Sequence, residues 1–137
     1  MDIIFDRSNF HPVFSGDLSR AKRDILIVSP FVTLKRTHQI IRDLTPALSK
    51  KVKVRVITRP KEETGSRSLT AWEEAIRQLE AAGISLILKS GIHQKFSIID
   101  QKIVWYGSIN LLSYGSSEES MMRIESNNIA FELMERI

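Results

Sequence analysis

The feature that most constrains this chain is the run Asp24-Ile25-Leu26-Ile27-Val28-Ser29, apolar at four consecutive positions and bounded by polar residues. A half-buried strand alternates apolar and polar side chains. A run without alternation and of strand length reads instead as a central strand with both faces covered. Ser29-Pro30-Phe31 ends it, because proline has no N–H for a ladder and pushes the residue before it away from helix. A fold built on such a strand needs layers on both sides of a sheet.

The segments around it supply those layers. Asn9 or Ser8 caps a first helix, with Pro12 in its opening turn and Phe10, Phe14, Leu18 and Ala21 along one face; Lys22 and Arg23 suit its C-terminal end. Over residues 35–50, Ile40, Ile41, Leu44 and Leu48 keep a helical period that Pro46 interrupts, which predicts a kink or two helical pieces with Thr45 as a new cap. Residues 51–58 alternate basic and β-branched side chains and predict a half-buried strand with Lys51, Lys53 and Arg55 on its wet side. Arg59-Pro60 ends that strand and residues 61–67 read as a polar loop. Thr70-x-x-Glu73 has the pattern of a capping box, opening a helix through Trp72, Ala75, Ile76 and Leu79 that Gly83 stops.

Residues 84–89 read as a further strand, and residues 95–100 and 102–107 as two strands joined too tightly for a crossover, hence antiparallel. A polar loop is expected over 113–120, then a strand near 128–131 and a short terminal helix. The alternation of helix and strand predicts an α/β fold: a mixed, mostly parallel sheet flanked by helices on both faces, in a single domain over residues 1–137.

Composition excludes some classes. The chain has no cysteine, so disulfides and thiolate zinc sites are impossible. No apolar run is long enough to span a bilayer, and the first residues lack the pattern of a signal peptide, so the expected location is the cytoplasm without membrane insertion. A net charge of +4 favours polyanionic partners.

The chemistry concentrates in residues 93–110. His93 and Lys95, two apart at the head of a strand, share a face, and Gly107-Ser108-Ile109-Asn110 follows the next strand, where a tight return brings Asn110 beside the first. An imidazole, an ammonium and an amide so placed make an anion site with a nucleophile next to it. Arg59 ends a strand on the side where ligand sites of open α/β sheets gather. Ser29 and Thr58 also sit at strand ends, where turn chemistry accounts for them equally well. The basic residues Lys51, Lys53, Arg55, Arg59 and Lys61 fit either a solvated strand face or a nucleic-acid track.

The pattern H-x-K-x4-D, then six residues and G-S-x-N, resembles the signature of the phospholipase D superfamily, with His93, Lys95, Asp100, Gly107, Ser108 and Asn110 all in place. Ile27-Val28-Ser29-Pro30-Phe31 and the segment ending Thr58-Arg59-Pro60 are similar to parts of phospholipase D-like domains attached to helicases and restriction proteins. The resemblance implies a phospholipase D-like sandwich and metal-independent, cofactor-free phosphodiester cleavage through a phosphohistidine. It gives His93 the nucleophile's role, Lys95, Asn110 and Ser108 that of donors to phosphoryl oxygens, and Asp100 that of supporting the fold and orienting a histidine. Arg59 would assist substrate binding. In many members a glutamate after G-S-x-N orients the catalytic histidine; here Glu118, Glu119 and Glu125 are available, Glu125 is the choice because an apolar segment follows it, and Asn128 is an alternative occupant.

A second histidine must protonate the leaving group, and His11 and His38 lie in no comparable motif. The resemblance therefore implies a homodimer with a composite active site. The expected activity is that of a nuclease on DNA or RNA. The alternatives are a nucleic-acid-binding or dimerisation module of a larger helicase or restriction protein, and a lipid-directed hydrolase or transferase.

Overall fold

The computed structural model describes residues 3–64, 69–113 and 118–137. In chain order the elements are β1 (Ile4–Asp6), α1 (Phe10–Ser19), β2 (Asp24–Val28), α2 (Leu34–Ser49), β3 (Lys53–Thr58), α3 (Leu69–Ala81), β4 (Ser85–Leu88), β5 (Phe96–Ile99), β6 (Ile103–Gly107), β7 (Ser120–Glu125) and α4 (Asn127–Glu135). A 3-10 turn, Lys61–Glu63, follows β3. The strands form one sheet in the order β1-β7-β6-β5-β2-β3-β4.

β2 is central and covered on both faces, as its composition requires. Ile25 and Ile27 join the core beneath α1, α2 and α3, whereas Leu26 and Val28 point the other way, to Ile57, Ile98, Val104 and Ala130 of α4. Among the described residues the layers are therefore three helices, the sheet, and one helix.

The sheet is mixed, but the expected parallel majority is corrected. β2 pairs with β3 and β3 with β4 in parallel, whereas β2–β5, β5–β6, β6–β7 and β1–β7 are antiparallel. A parallel neighbour needs a crossover of a dozen or more residues. Only residues 89–95 separate β4 from β5, so the chain enters β5 at the end where β4 finished and runs back antiparallel.

Several expected boundaries move for local reasons. α1 stops at Ser19 rather than near Arg23, because the amides of Lys22, Arg23 and Asp24 donate to the Asp100 carboxylate at 2.7 to 3.2 Å. Asn9 occupies the N-cap position, but its side-chain oxygen accepts from the Asp6 amide instead. Pro46 lies inside a single uninterrupted α2, with Thr45 bonded back to the Ile41 carbonyl rather than starting a new helix; Thr33 is the N-cap, accepting from the Arg36 amide. Lys51 has φ 64°, so β3 begins at Lys53. Thr70 falls within the first turn of α3, and the residue before Leu69 lies outside the described residues, as does part of each expected polar loop at 61–67 and 113–120.

The C-terminal reading is corrected most. Residues 128–131 are helical, and the strand lies earlier, in Ser120–Glu125. Met, Arg and Glu are weak strand formers, and only pairing with β1 and β6 makes this segment extended. Ser126 then caps α4, accepting from the Ile129 amide at 3.1 Å.

The β5–β6 turn is tied to the connector before β2 by polar contacts. Asp100 and Gln101 both have positive φ, 55° and 56°, and the Lys102 amide donates to the Ile99 carbonyl, the arrangement of a type I′ hairpin turn. Besides accepting from three connector amides, Asp100 donates its own N–H to the Asp24 carbonyl at 2.8 Å. Replacing Asp100 with alanine should strand those amides and destabilise the chain by roughly 2–4 kcal/mol. Urea unfolding at neutral pH measures the loss, which Asp100→Asn should partly restore through its remaining acceptor.

Candidate active site

The end of the sheet that carries the motif is set by where the ladders stop. Val28 is the last residue of β2 and pairs with Phe96; Pro30 cannot extend the ladder. His93, Gln94 and Lys95 therefore precede β5 rather than lie within it, with one further bond from the Gly107 amide to the Lys95 carbonyl at 3.2 Å. β3 ends beside them at Thr58, followed by Arg59. The C-terminal ends of parallel β2 and β3 thus meet the start of antiparallel β5, a reversal in strand order where α/β sheets open a crevice.

The turn after β6 is anchored by its apolar residues. Ile109, Leu111 and Leu112 are buried in the core, the Leu112 amide donates to the Ser29 hydroxyl, and the Thr33 amide donates to the Leu112 carbonyl at 2.8 Å. Asn110 is thereby held at the rim, its carbonyl accepting from the Ser113 amide. Its side-chain oxygen is buried with no hydrogen-bond partner among the described residues. Amide oxygen and nitrogen are assigned from the surrounding network, so turning the group would present an NH₂ to an anionic acceptor at that place. A Cβ on Gly107 would lie 2.2 Å from the Ser120 carbonyl oxygen, so only glycine lets β7 approach here.

Arg59 sits directly on His93. Its Nη2 is 2.7 Å from His93 Nδ1 and 3.4 Å from Nε2, and its Nε donates to the Ile92 carbonyl at 2.6 Å. The guanidinium also stacks over the Phe31 ring, 4.9 Å from its centroid. A guanidinium only donates, so the ring nitrogen facing it accepts in this contact. Lys95 Nζ donates to the His93 carbonyl at 3.1 Å. His93 itself is exposed.

Glu63 completes the cluster and was not singled out in the sequence. Its carboxylate accepts from the Ser90 hydroxyl and the Gly91 amide and stands 3.9 Å from Arg59 Nε. It so ties the segment leading to His93 to the arginine that touches it. The Ser90 hydroxyl, the Gly91 amide and then the charge of Arg59 hold the Glu63 carboxyl below its usual range. The one sequence signal was its position four residues after Arg59; the polar-loop reading of 61–67 hid it.

The remaining expected site residues are placed elsewhere. Asp100 closes the opposite end of β5 and serves the backbone of residues 22–24, so within one chain it does not meet His93. Glu125 pairs with Ile103 at that same far end, four residues along the strand from the Gly107–Met121 pair, roughly 13 Å at a strand's rise per residue. It forms an ion pair with Arg123 at 3.4 Å, and Asn128 lies beyond it in α4. Glu118 and Glu119 instead lead into β7 at the motif end. The Ser108 hydroxyl accepts from the Ser120 amide at 2.9 Å, a tie between β6 and β7 rather than a free donor. Ser29 is spent on the Phe31 carbonyl and the Leu112 amide, and the Thr58 hydroxyl is buried without a hydrogen-bond partner among the described residues. Of the basic residues from 51 to 61, only Arg59 reaches the site: Lys53 begins β3 at the far end and Lys61 pairs with Glu73 at 3.7 Å.

The family model described as "Cardiolipin synthase, PLD-like domain" matches residues 15–137, and the chain belongs to this family. Among solved structures the chain is similar to Nuc, a phospholipase D family member from Salmonella typhimurium, with TM-score 0.75, 21% identity, and coverage of 97% of this chain and 90% of that one. NucT from Helicobacter pylori aligns with TM-score 0.78, 18% identity and the same two coverages. TrmBL2, an archaeal chromatin protein with a described mode of DNA binding, aligns with TM-score 0.65 and 13% identity, over 99% of this chain and 51% of that one. No curated protein sequence matches. These likenesses, all below 25% identity, establish the shared fold. Among the described residues, no helix is long and apolar enough to cross a membrane.

The Glu63 clip should be pH-dependent in a defined direction. Its carboxyl is lowered in the folded chain, so its stabilising effect is fully present above the usual value of 4.5 and is lost as pH falls through the lowered folded value. Thermal melts of the parent and Glu63→Gln should differ at pH 7 and converge on acidification below pH 4.5.

Proposed function

We propose that the chain is a metal-independent phosphodiesterase that cleaves nucleic-acid backbones through a phosphohistidine at His93. The observation that carries this reading is the placement of His93 between two cations, Arg59 at its ring and Lys95 on its carbonyl, at the strand reversal and at the sheet end that also bears Asn110. Such a cluster binds a phosphodiester and offers its phosphorus a neutral imidazole.

Arg59 then has a definite part. In the free chain its Nη2 donates to the imidazole. A phosphoryl oxygen is a stronger, charged acceptor, so bound substrate draws that donor away and frees a ring lone pair. A histidine nitrogen attacks phosphorus, the P–O bond to the leaving group breaks, and the departing oxygen takes a proton from a second histidinium. Water then gives its proton to that histidine and displaces the phosphoryl group as the P–N bond breaks. Lys95 and Asn110 stabilise the charge on the non-bridging oxygens throughout.

The second histidine is assigned to His93 of the partner subunit in a two-fold homodimer. Support for a second copy comes from an exposed apolar row beside the motif: Ile4 of β1 and Tyr106 of β6 both pair with Met122 of β7, and Ile4, Met122 and Tyr106 are 68%, 39% and 41% exposed. Sedimentation should find a dimer, and Tyr106→Glu with Met122→Glu should shift it to monomer and abolish turnover. A fully active monomer would refute the composite site.

The chemical test is a panel of single- and double-stranded DNA, RNA and bis(4-nitrophenyl) phosphate in excess EDTA. Cleavage should persist with the chelator and fall by roughly 10⁴-fold or more in His93→Ala, the scale on which loss of a nucleophile acts. Arg59→Ala should cost a smaller factor, on the order of 10²–10³, as for one oriented donor to an oxyanion. Activity abolished by EDTA would overturn the mechanism, and binding without turnover of any substrate would favour a nucleic-acid-binding module.

A further inference from the structure

A cleft of about 490 Å³ opens between α1 and α2 on the motif side of the sheet, and the motif chemistry makes no use of it. Four cations line it, Arg7, Lys35, Arg36 and Arg42, together with His11 and a single carboxylate, Asp43. That carboxylate is consumed internally: it is 2.9 Å from His11 Nε2, accepts from the Ser15 hydroxyl at 3.1 Å and lies 3.6 Å from Arg36 Nη1. Asp43 thus fixes the buried Arg36 as the floor of the cleft and leaves the rim positive. Arg7, Lys35 and Arg42 are exposed, and none is ion-paired among the described residues. Unpaired cations around a concave wall repel one another unless an anion joins them, and the wall focuses their field.

The cleft is mechanically joined to the motif. Thr33, on its wall, receives the Asn110 turn through the bond from its amide to the Leu112 carbonyl. A ligand that fills both places must carry several negative charges in series. We infer that this cleft is a second phosphate subsite, which holds the backbone of a polynucleotide beyond the phosphodiester engaged at His93. The substrate class rests on the nuclease reading above. Contacts of this type position a strand without reading its sequence, so the cleft distinguishes a polynucleotide from a small phosphodiester and confers no base preference.

The test uses the full chain with His93→Ala, which leaves bound strands uncut, and a fluorescein-labelled oligonucleotide followed by anisotropy from low to moderate salt. The double variant Lys35→Glu with Arg42→Glu should weaken binding by at least about tenfold and reduce the slope of log K against log salt by about 1.4, the value for two lost contacts to a single strand. Lys51→Glu with Lys53→Glu, at the opposite end of the sheet, should change affinity less than about twofold, the direct sequence-independent charge effect being screened at that range. In the chain with His93 intact, Lys35→Glu with Arg42→Glu should leave hydrolysis of bis(4-nitrophenyl) phosphate unchanged. Equal weakening by both charge reversals, or by neither, overturns the subsite, as does failure of the parent to bind oligonucleotide. If the small diester is still hydrolysed in that case, phosphodiesterase chemistry survives without it. Binding that responds to Lys35 and Arg42 in a chain that cleaves nothing leaves the subsite standing and removes the nuclease reading.

Discussion

The rest of the structure depends on the Asp100 carboxylate. Placed at a left-handed turn position, it gathers the amides of residues 22–24 while its own N–H reaches Asp24. This locks the β5–β6 hairpin to β2 in one register. A slip of a single residue would turn Ile98 and Ile99 to the wrong layers, because side chains alternate with period two. With the register fixed at this end, the opposite end is determined: Phe96 lies across from Val28, and His93 and Lys95 emerge where the β2 ladder has already stopped. The aspartate of the motif thus acts on the histidine through the length of a strand.

A second constraint couples α1 to the outer strands. Asp17, 2% exposed, accepts from Trp105 Nε1 at 2.8 Å and from Arg123 Nε and Nη2 at 2.7 and 2.9 Å. The hydrogen bonds to Asp17 push the Arg123 pKa up, against the opposing effect of burial. Phe5, Phe10 and Phe14 pack around the same indole with centroids 5.1 to 6.0 Å away. A buried indole needs an acceptor and a buried carboxylate needs a cation, so the three polar groups satisfy one another inside an aromatic cluster. Their joint effect is to hold β7 in the sheet despite its poor strand composition, and β7 in turn presses on Gly107 at the head of the motif turn.

Around His93 two cations, Arg59 and Lys95, stand with the carboxylate of Glu63, which is used for positioning. Glu63 spends its oxygens on Ser90, Gly91 and Arg59, which leaves Arg59 as the group facing the imidazole. The α1–α2 cleft repeats the device, with Asp43 organising His11 and Arg36 beneath an unpaired cationic rim. In both places a carboxylate fixes an arginine that is itself largely buried, Arg59 in one and Arg36 in the other.

By itself the sequence determined the central strand, the helical layers and the motif. An unalternating apolar run has one stable environment, and H-x-K-x4-D with G-S-x-N names its residues directly. It also placed Arg59 near the site, because strand ends in α/β sheets point to the crevice. Tertiary structure alone decided the rest. Glu63 and Asp43 each join a near arginine to partners 27 or more residues away, and β7 is a strand only because its neighbours pair with it. Glu125 shows the limit most clearly. Chain order placed it after the motif turn, fifteen residues past Asn110, but β7 runs away from His93, and a strand's rise carries a side chain about 3.3 Å farther with every residue. Proximity in sequence fixes which strand a residue occupies, whereas the direction of that strand, set by antiparallel pairing, fixes which end of the sheet it serves.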